Sequence, residues 1–246
     1  RFALAGVCLG LAILVKPMFA PLVVLPLMQL RWRCVVPSVL VPVLFNVVAW
    51  PMTPGARDYI DVVVPYLKIT RDYANSSLAG FTTYFGFPTQ FYDALFVFFG
   101  ITVAIAVLGL ARWRWSDELL WLTFSSTVLL AGVCLLSSLG QAYYSMMLFP
   151  AAFTVLSARS PMHTSGPWIG LFFCLAPLQW TTLRNPLIGN WITTFLPTLG
   201  WAVFIVSTAT WVLTTVFTTK KGDRDPHDRE SFSADDGSRV ESSPRP

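Results

Sequence analysis

Residues Leu11 to Val23 read LAILVKPMFAPLV, an apolar run interrupted by Lys16-Pro17 at its centre and by Pro21 beyond it. If this run crossed a membrane as one helix, the ammonium group would be costly, because a charge at mid-bilayer is strongly disfavoured. A continuous helix from Phe2 to Leu30 would be about 43 Å long and would place Lys16 near its middle. Pro17 removes a backbone donor and biases Lys16 away from helical geometry, so a break is predicted there. Two arms result, 2–15 and 18–30, each roughly 20 Å long. With Arg1 and Arg31 on one side, the apex carrying Lys16 lies beneath the opposite surface. Two roles stay open for Lys16: a functional cation within the membrane, or a side chain that snorkels to the headgroups.

The membrane setting follows from the rest of the chain. Of its 246 residues, 54% are hydrophobic and only 12% charged, with a mean hydropathy of +0.60; soluble domains carry roughly 25% charged residues. The segment from Lys220 onward holds 6 of the 17 basic and 7 of the 13 acidic residues, which leaves the body nearly free of charge. Charge-free intervals at 34–56, 94–111, 119–158, 160–183 and 185–219 are read against the need for about 20 apolar residues per span. The third divides at SSLGQAYYS and the last at RNPLIGNWIT. Spans are expected near 34–50, 94–111, 119–138, 144–158, 166–181 and 195–217. β-branched and aromatic residues are common in them, but in lipid the backbone must bond internally, so helix prevails. The expected fold is an all-α polytopic membrane protein. It has about six full transmembrane helices, a short broken helical pair at the N-terminus, one long outer loop over 51–93 and a disordered cytoplasmic tail. In domain terms, 1–217 forms the membrane domain and 218–246 the tail, which is polar, rich in Ser and Pro and poor in the apolar residues needed to fold alone.

Sidedness follows from the basic turns. Arg31/Arg33, Arg112/Arg114, Arg159 and Lys220/Lys221 satisfy the alternation of all six spans if they are cytoplasmic. Segments 51–93, 139–143 and 182–194 then face outward, and the plasma membrane is the expected location. Cys8, Cys34, Cys134 and Cys174 fall in or beside hydrophobic spans without CxxC spacing, which points to buried thiols. With two histidines and no HExxH or paired-cysteine pattern, no metal site is expected. No P-loop or dinucleotide fingerprint is present, so neither a cofactor nor a nucleic-acid partner is expected.

Polar chemistry concentrates in the outer loop, PMTPGARDYIDVVVPYLKITRDYANSSLAGFTTYFGFPTQFYD. A connector of some 43 residues is long enough to expect function or disorder, and its many aromatic residues argue against disorder. Tyr59, Tyr66, Tyr73, Phe81, Tyr84, Phe85, Phe87, Phe91 and Tyr92 supply aromatic faces, and Arg57, Lys68, Arg71, Asp72 and Asn75 supply donors and acceptors. That combination suits sugars, whose C–H faces stack and whose hydroxyls need polar partners. For the rings taken alone, an interfacial aromatic belt is the better reading. NSSL at 75–78 also matches a glycosylation sequon.

The segment LAGVCLGLAILVKPMFAPLVVLPLMQLRWR, a small-residue helix ending at Lys-Pro with a second short helix and a basic turn, resembles the C-terminal half of GT-C membrane glycosyltransferases. NSSLAG in the outer loop is similar to an N-x-S-L segment of one branch. That branch comprises the actinobacterial polyprenyl-phosphate-sugar-dependent arabinofuranosyltransferases and mannosyltransferases of cell-envelope biosynthesis. The likeness covers about residues 1 to 217. It implies a polyprenyl-phosphate sugar donor, with arabinofuranose favoured over mannose. It further implies a cell-envelope glycan or glycolipid acceptor outside the membrane, membrane lipids as surroundings, and an inverting transfer. It assigns Lys16, Lys68 and Arg71 to the donor phosphate, and Asn75, Ser77 and Tyr84 to substrate hydroxyls. Such enzymes carry their catalytic aspartate in the first outer loop, and this chain opens at Arg1 without an initiator methionine. A fragment lacking the general base is therefore expected. Asp58, Asp61, Asp72 and Asp93 are read as structural salt-bridge partners, Asp72 with Arg71 or Lys68. Broken helices also mark transporters, so a transporter or lipid flippase subunit is the alternative.

Overall fold

The computed structural model describes residues 1–176 and 184–222, with side chains through Val216. Every regular element among them is helical. The N-terminal hairpin breaks where the sequence requires it. Helix α1 (Phe2–Val15) ends at Lys16, whose φ of −141° and ψ of 103° are extended, and the chain returns through a 3-10 turn (Pro17–Val23) and α2 (Val24–Met28). Both ends of the hairpin meet, since the Arg31 guanidinium lies 4.4 Å from the centre of the Phe2 ring. Helix α3 (Trp32–Met52) then runs beside α1. In lipid, apolar contact alone drives little association, and small residues that let backbones approach are what bind helices together. Gly6 and Gly10 serve α1 in this way, because a methyl group on either would collide with α3 near Cys34, Pro37 and Val41.

The expected outer loop is built from short helices: α4 (Ala56–Asp58), a π-helical turn (Tyr59–Val63), α5 (Val64–Lys68) and α6 (Leu78–Tyr84). Helices α7 (Thr89–Leu110) and α8 (Glu118–Leu136) form the centre with α11 (Pro186–Gly222). Their core holds Trp121, Phe124, Trp201 and Phe204, all fully buried, with the Phe124 and Phe204 rings stacked 5.5 Å apart.

Four helices are long and apolar enough to cross a membrane: Trp32–Met52, Thr89–Trp113, Glu118–Leu136 and Pro186–Val216. The chain is thus an all-α, polytopic membrane protein. Two of the six expected spans take another form. The segment expected at 144–158 is a 3-10 helix (Ala142–Leu148), the single α-turn α9 (Phe149–Ala152) with Pro150 in its first turn, and a second 3-10 stretch (Phe153–Leu156). Of the segment expected at 166–181, the described part is α10 (Ser165–Leu175), which stops at Ala176, and 177–181 lie outside the described residues. Ala176 precedes a proline and adopts ψ 152°, the extended geometry such a residue favours. The last helix continues to Gly222, past the expected tail boundary at 217. The remainder of the tail, 223–246, lies outside the described residues.

The polar turns gather at two ends of the bundle. At one end the Arg31 guanidinium pairs with Glu118, and the Gln29 amide donates to the Arg114 carbonyl at 3.0 Å. At the other, loop 69–77 meets the 137–141 turn and the first half of α11.

Candidate functional site

The second end of the bundle is organised by Asn75, which is 1% exposed. Ala74, at φ 47°, takes the left-handed turn that swings it inward. The Asn75 amide nitrogen donates to the carbonyls of Arg71 at 3.0 Å and Ser138 at 2.9 Å. Its oxygen accepts from the backbone N–H of Ser77 at 3.1 Å and Gly140 at 2.9 Å. Two donors and two acceptor positions are all this side chain has, so every one is occupied. Ser76 adds a backbone pair with Gly140, its N–H donating at 2.7 Å, and its carbonyl accepts from the Thr198 hydroxyl at 2.6 Å. The Ser77 hydroxyl accepts from Gly80 N–H at 3.1 Å and caps α6. A side chain at Gly80 would run into Asn75, and one at Gly140 into the Cys134 carbonyl. The segment NSSLAG is therefore a clasp between the outer loop, the 137–141 turn and α11.

This geometry gives Asn75 and Ser77, assigned to substrate hydroxyls on resemblance, work inside the protein. Asn75 has no polar atom to spare for a sugar, and Ser77 is fully buried. Burial also shields Asn75 from glycosylation in the folded chain. Tyr84 sits differently: its hydroxyl accepts from the Trp191 indole N–H at 2.9 Å, and its ring meets Phe85 and Phe195 edge-on at 5.1 and 5.3 Å. With Phe81, Phe87 and Phe91 these rings form a continuous aromatic cluster.

Lys16 is half-buried at the hairpin apex. Its Nζ lies 4.9 Å from the centre of the Tyr144 ring and 5.9 Å from that of Tyr143. The single ion pair among the described residues is Arg31 with Glu118, so Lys16 has no carboxylate partner there. The tyrosines are positioned by the 3-10 helix Ala142–Leu148, which Trp201 holds by donating its indole N–H to the Ser145 hydroxyl at 3.1 Å. Sequence reasoning missed both rings. Their signal was QAYYS, whose amide, hydroxyls and paired aromatics were read only as a divider between spans.

Two hollows adjoin the clasp. One, of about 340 Å³, is lined by Ser76, Gln141, Tyr143, Asn190, Thr193 and Thr194, with Ala74 and Ala142. The other, of about 330 Å³, has Lys68, Thr70, Thr83, Tyr92 and Ser138 among its walls. Lys68 thus opens into a polar hollow, while the Arg71 guanidinium rests 5.8 Å from the centre of the Tyr73 ring. The three expected phosphate-binding cations lie along this end of the bundle, each against different neighbours. The expected pairing of Asp72 with Arg71 or Lys68 is absent among the described residues. Asp58, Asp61, Asp72 and Asp93 are all exposed. At such positions water solvates a carboxylate well, and an ion pair is worth little.

A family model described as glycosyltransferase family 87 matches residues 1–138, more than half of the chain and a stretch that includes both the Lys16-Pro17 hairpin and the Asn75 clasp. The chain belongs to glycosyltransferase family 87. Among curated relatives of this family member, the alpha-(1->3)-arabinofuranosyltransferase of Corynebacterium glutamicum is 47% identical over 205 residues, covering 83% of this chain and 49% of that protein. The proteins of the same name from Mycolicibacterium smegmatis and Mycobacterium tuberculosis are each 36% identical, over 82% and 83% of this chain and 47% and 48% of their own lengths. The chain spans about half the length of the curated relatives it matches. No solved structure gives a significant match. Membership in a glycosyltransferase family favours the transferase reading over a transporter.

Proposed function

We propose that this chain supplies the donor-phosphate end of a membrane glycosyltransferase that moves arabinofuranose from a polyprenyl-phosphate donor to an extracytoplasmic cell-envelope glycan or glycolipid. The observation that carries the proposal is the Lys16 ammonium, half-buried at a helix break, flanked by two tyrosine rings and without a carboxylate partner among the described residues. A cation at membrane depth meets a phosphate that arrives from the lipid phase, and a charge-assisted hydrogen bond is the strong form of that contact. The relatives' name favours arabinofuranose over mannose as the sugar.

In the inverting transfer, an acceptor hydroxyl oxygen forms a bond to the anomeric carbon as the bond from that carbon to the phosphate oxygen breaks. The electron pair leaves with the phosphate, and the hydroxyl proton passes to a base that none of the six proposed site residues supplies. Lys16 stabilises charge accumulating on the leaving phosphate, and Lys68 and Arg71 are further cations on the same side of the bundle. Asn75 and Ser77 act through the clasp by shaping the walls, and Tyr84 joins the aromatic floor.

The finer topology belongs to the same reading. Eleven residues of 3-10 helix and four of α-helix give Ala142–Leu156 a length of about 28 Å, which supports a fifth span. Of the sixth expected span the described part is α10, and 177–183 lie outside the described residues. Gathering of 31–33 and 112–118 at one end, and of 69–77 and 137–141 at the other, supports a cytoplasmic basic face and an outer site in the plasma membrane.

The test is transfer by the full-length protein, normalised to folded protein. Lys16→Met is expected to lose about ten- to hundredfold in donor use, the worth of a charge-assisted hydrogen bond of about 1.5 to 3 kcal/mol. Lys16→Arg recovers only part, since a forked guanidinium does not replace a compact ammonium. Wild-type kinetics for Lys16→Met would sink the phosphate role.

A further inference from the structure

The 340 Å³ hollow beside the clasp presents polar groups without charge. Six of its eight lining residues carry hydroxyl or amide side chains, and no charged side chain lines it among the described residues. Ser76, 2% exposed, contributes a hydroxyl with no hydrogen bond among the described residues. Gln141 uses its side-chain oxygen to accept from the Tyr143 hydroxyl, so its amide N–H groups are left to donate. The Asn190 amide and the Thr194 hydroxyl likewise line the space without a partner among the described residues. Tyr143 is shared: one ring forms a wall of the hollow and also lies 5.9 Å from the Lys16 ammonium.

A pocket that offers uncharged donors and acceptors with one aromatic wall matches a neutral sugar, whose hydroxyls need two-way hydrogen bonding and whose C–H face packs on a ring. A sugar acid would need a cation and an amino sugar a carboxylate, and the lining supplies neither. We infer that this hollow, walled by Ser76, Gln141, Tyr143, Asn190 and Thr194, is the subsite for the neutral sugar carried on the phosphate that Lys16 holds. This inference rests on the proposed phosphate role of Lys16. It adds the position of the sugar and four residues, Gln141, Tyr143, Asn190 and Thr194, that the sequence reading assigned to no site. Tyr143 then fixes the offset between sugar and phosphate, because it borders both.

The test measures binding of two probes to the full-length protein in detergent: polyprenyl phosphate without sugar, and the same lipid carrying arabinofuranose. Wild-type protein is expected to bind the sugar-bearing lipid more tightly. Asn190→Ala and the near-isosteric Thr194→Val should each remove roughly three- to tenfold of that preference, the worth of a neutral hydrogen bond, while affinity for bare polyprenyl phosphate stays unchanged. Lys16→Met should weaken both probes equally. If Lys16→Met weakens both probes but Asn190→Ala and Thr194→Val keep the preference intact, the sugar subsite is overturned and the phosphate reading stands. If Asn190→Ala lowers affinity for both probes alike, the residue acts through the fold and the subsite is again overturned. Unchanged binding of both probes by Lys16→Met overturns the phosphate reading and this inference together.

Discussion

The Asn75 side chain makes four hydrogen bonds, and Asn75→Ala would leave two part-buried carbonyls within reach of water and, without their partner, two buried N–H groups. Each such group costs about 1 to 3 kcal/mol when unsatisfied, so the clasp should weaken by at least about 2 kcal/mol even after partial relaxation. The measurement is the unfolding midpoint of the full-length protein in detergent, with activity expressed per folded molecule. A lowered midpoint with near-normal activity per folded molecule is expected. An unchanged midpoint with lost transfer would return Asn75 to the substrate. Lys16 should behave differently, since its ammonium has ring contacts but no carboxylate partner among the described residues to lose: Lys16→Met should alter donor use and cost only about 0.5 to 1 kcal/mol of stability, a smaller fall in midpoint than Asn75→Ala gives. Both residues stood out in the sequence. Only the presence or absence of partners separates them.

At the scale of elements, close backbone approach does what apolar burial cannot do in lipid. Helix α1 rests on α3 through Gly6 and Gly10, and α10 crosses α11 where Gly170 faces Gly200. A Cβ at Gly10 would lie 2.8 Å from the Val41 Cβ and 2.9 Å from the Pro37 carbonyl oxygen, both parts of α3 that cannot swing aside. Gly10→Val should therefore push the hairpin away from α3 at a cost of about 1 to 3 kcal/mol, as overpacking does. Because α1 carries Lys16 at its end, that variant should also weaken donor binding although no ligand-facing group has changed. Equal donor affinity in Gly10→Val and wild type would show that the apex is held by its tyrosine contacts instead. The break itself was legible from Lys16-Pro17, because proline acts on its own neighbour. The 3-10 geometry of Ala142–Leu156 was hidden, because an apolar run with one proline reads the same whether it coils at 3.6 or 3.0 residues per turn.

For the whole molecule, the separation of polar turns into two ends makes sidedness testable. With Cys8 replaced by serine, Asp58→Cys should react with a membrane-impermeant maleimide added to intact cells, and Ser116→Cys should react only after permeabilisation. Both positions are exposed, on α4 and on the turn before α8. Labelling of Ser116→Cys in intact cells would invert the topology and move the clasp, its hollows and Lys16 to the cytoplasmic side, which no extracytoplasmic acceptor could reach.

What the sequence determined by itself follows from forces that act locally or in sum. Low charge and high hydropathy place the chain in lipid, the absence of water there makes the backbone helical, and proline breaks the first helix at Lys16. The likeness carried by the Lys-Pro hairpin and NSSLAG agrees with the family that residues 1–138 match. Tertiary structure alone decided what those residues touch. The bonds that make NSSLAG a clasp join positions 63, 65 and 122 residues apart, and the rings beside Lys16 come from a segment more than a hundred residues downstream. No local rule pairs such positions. An asparagine that closes four internal hydrogen bonds and one that offers them to a sugar look alike in sequence, because the difference lies in whether folding brings partners to it.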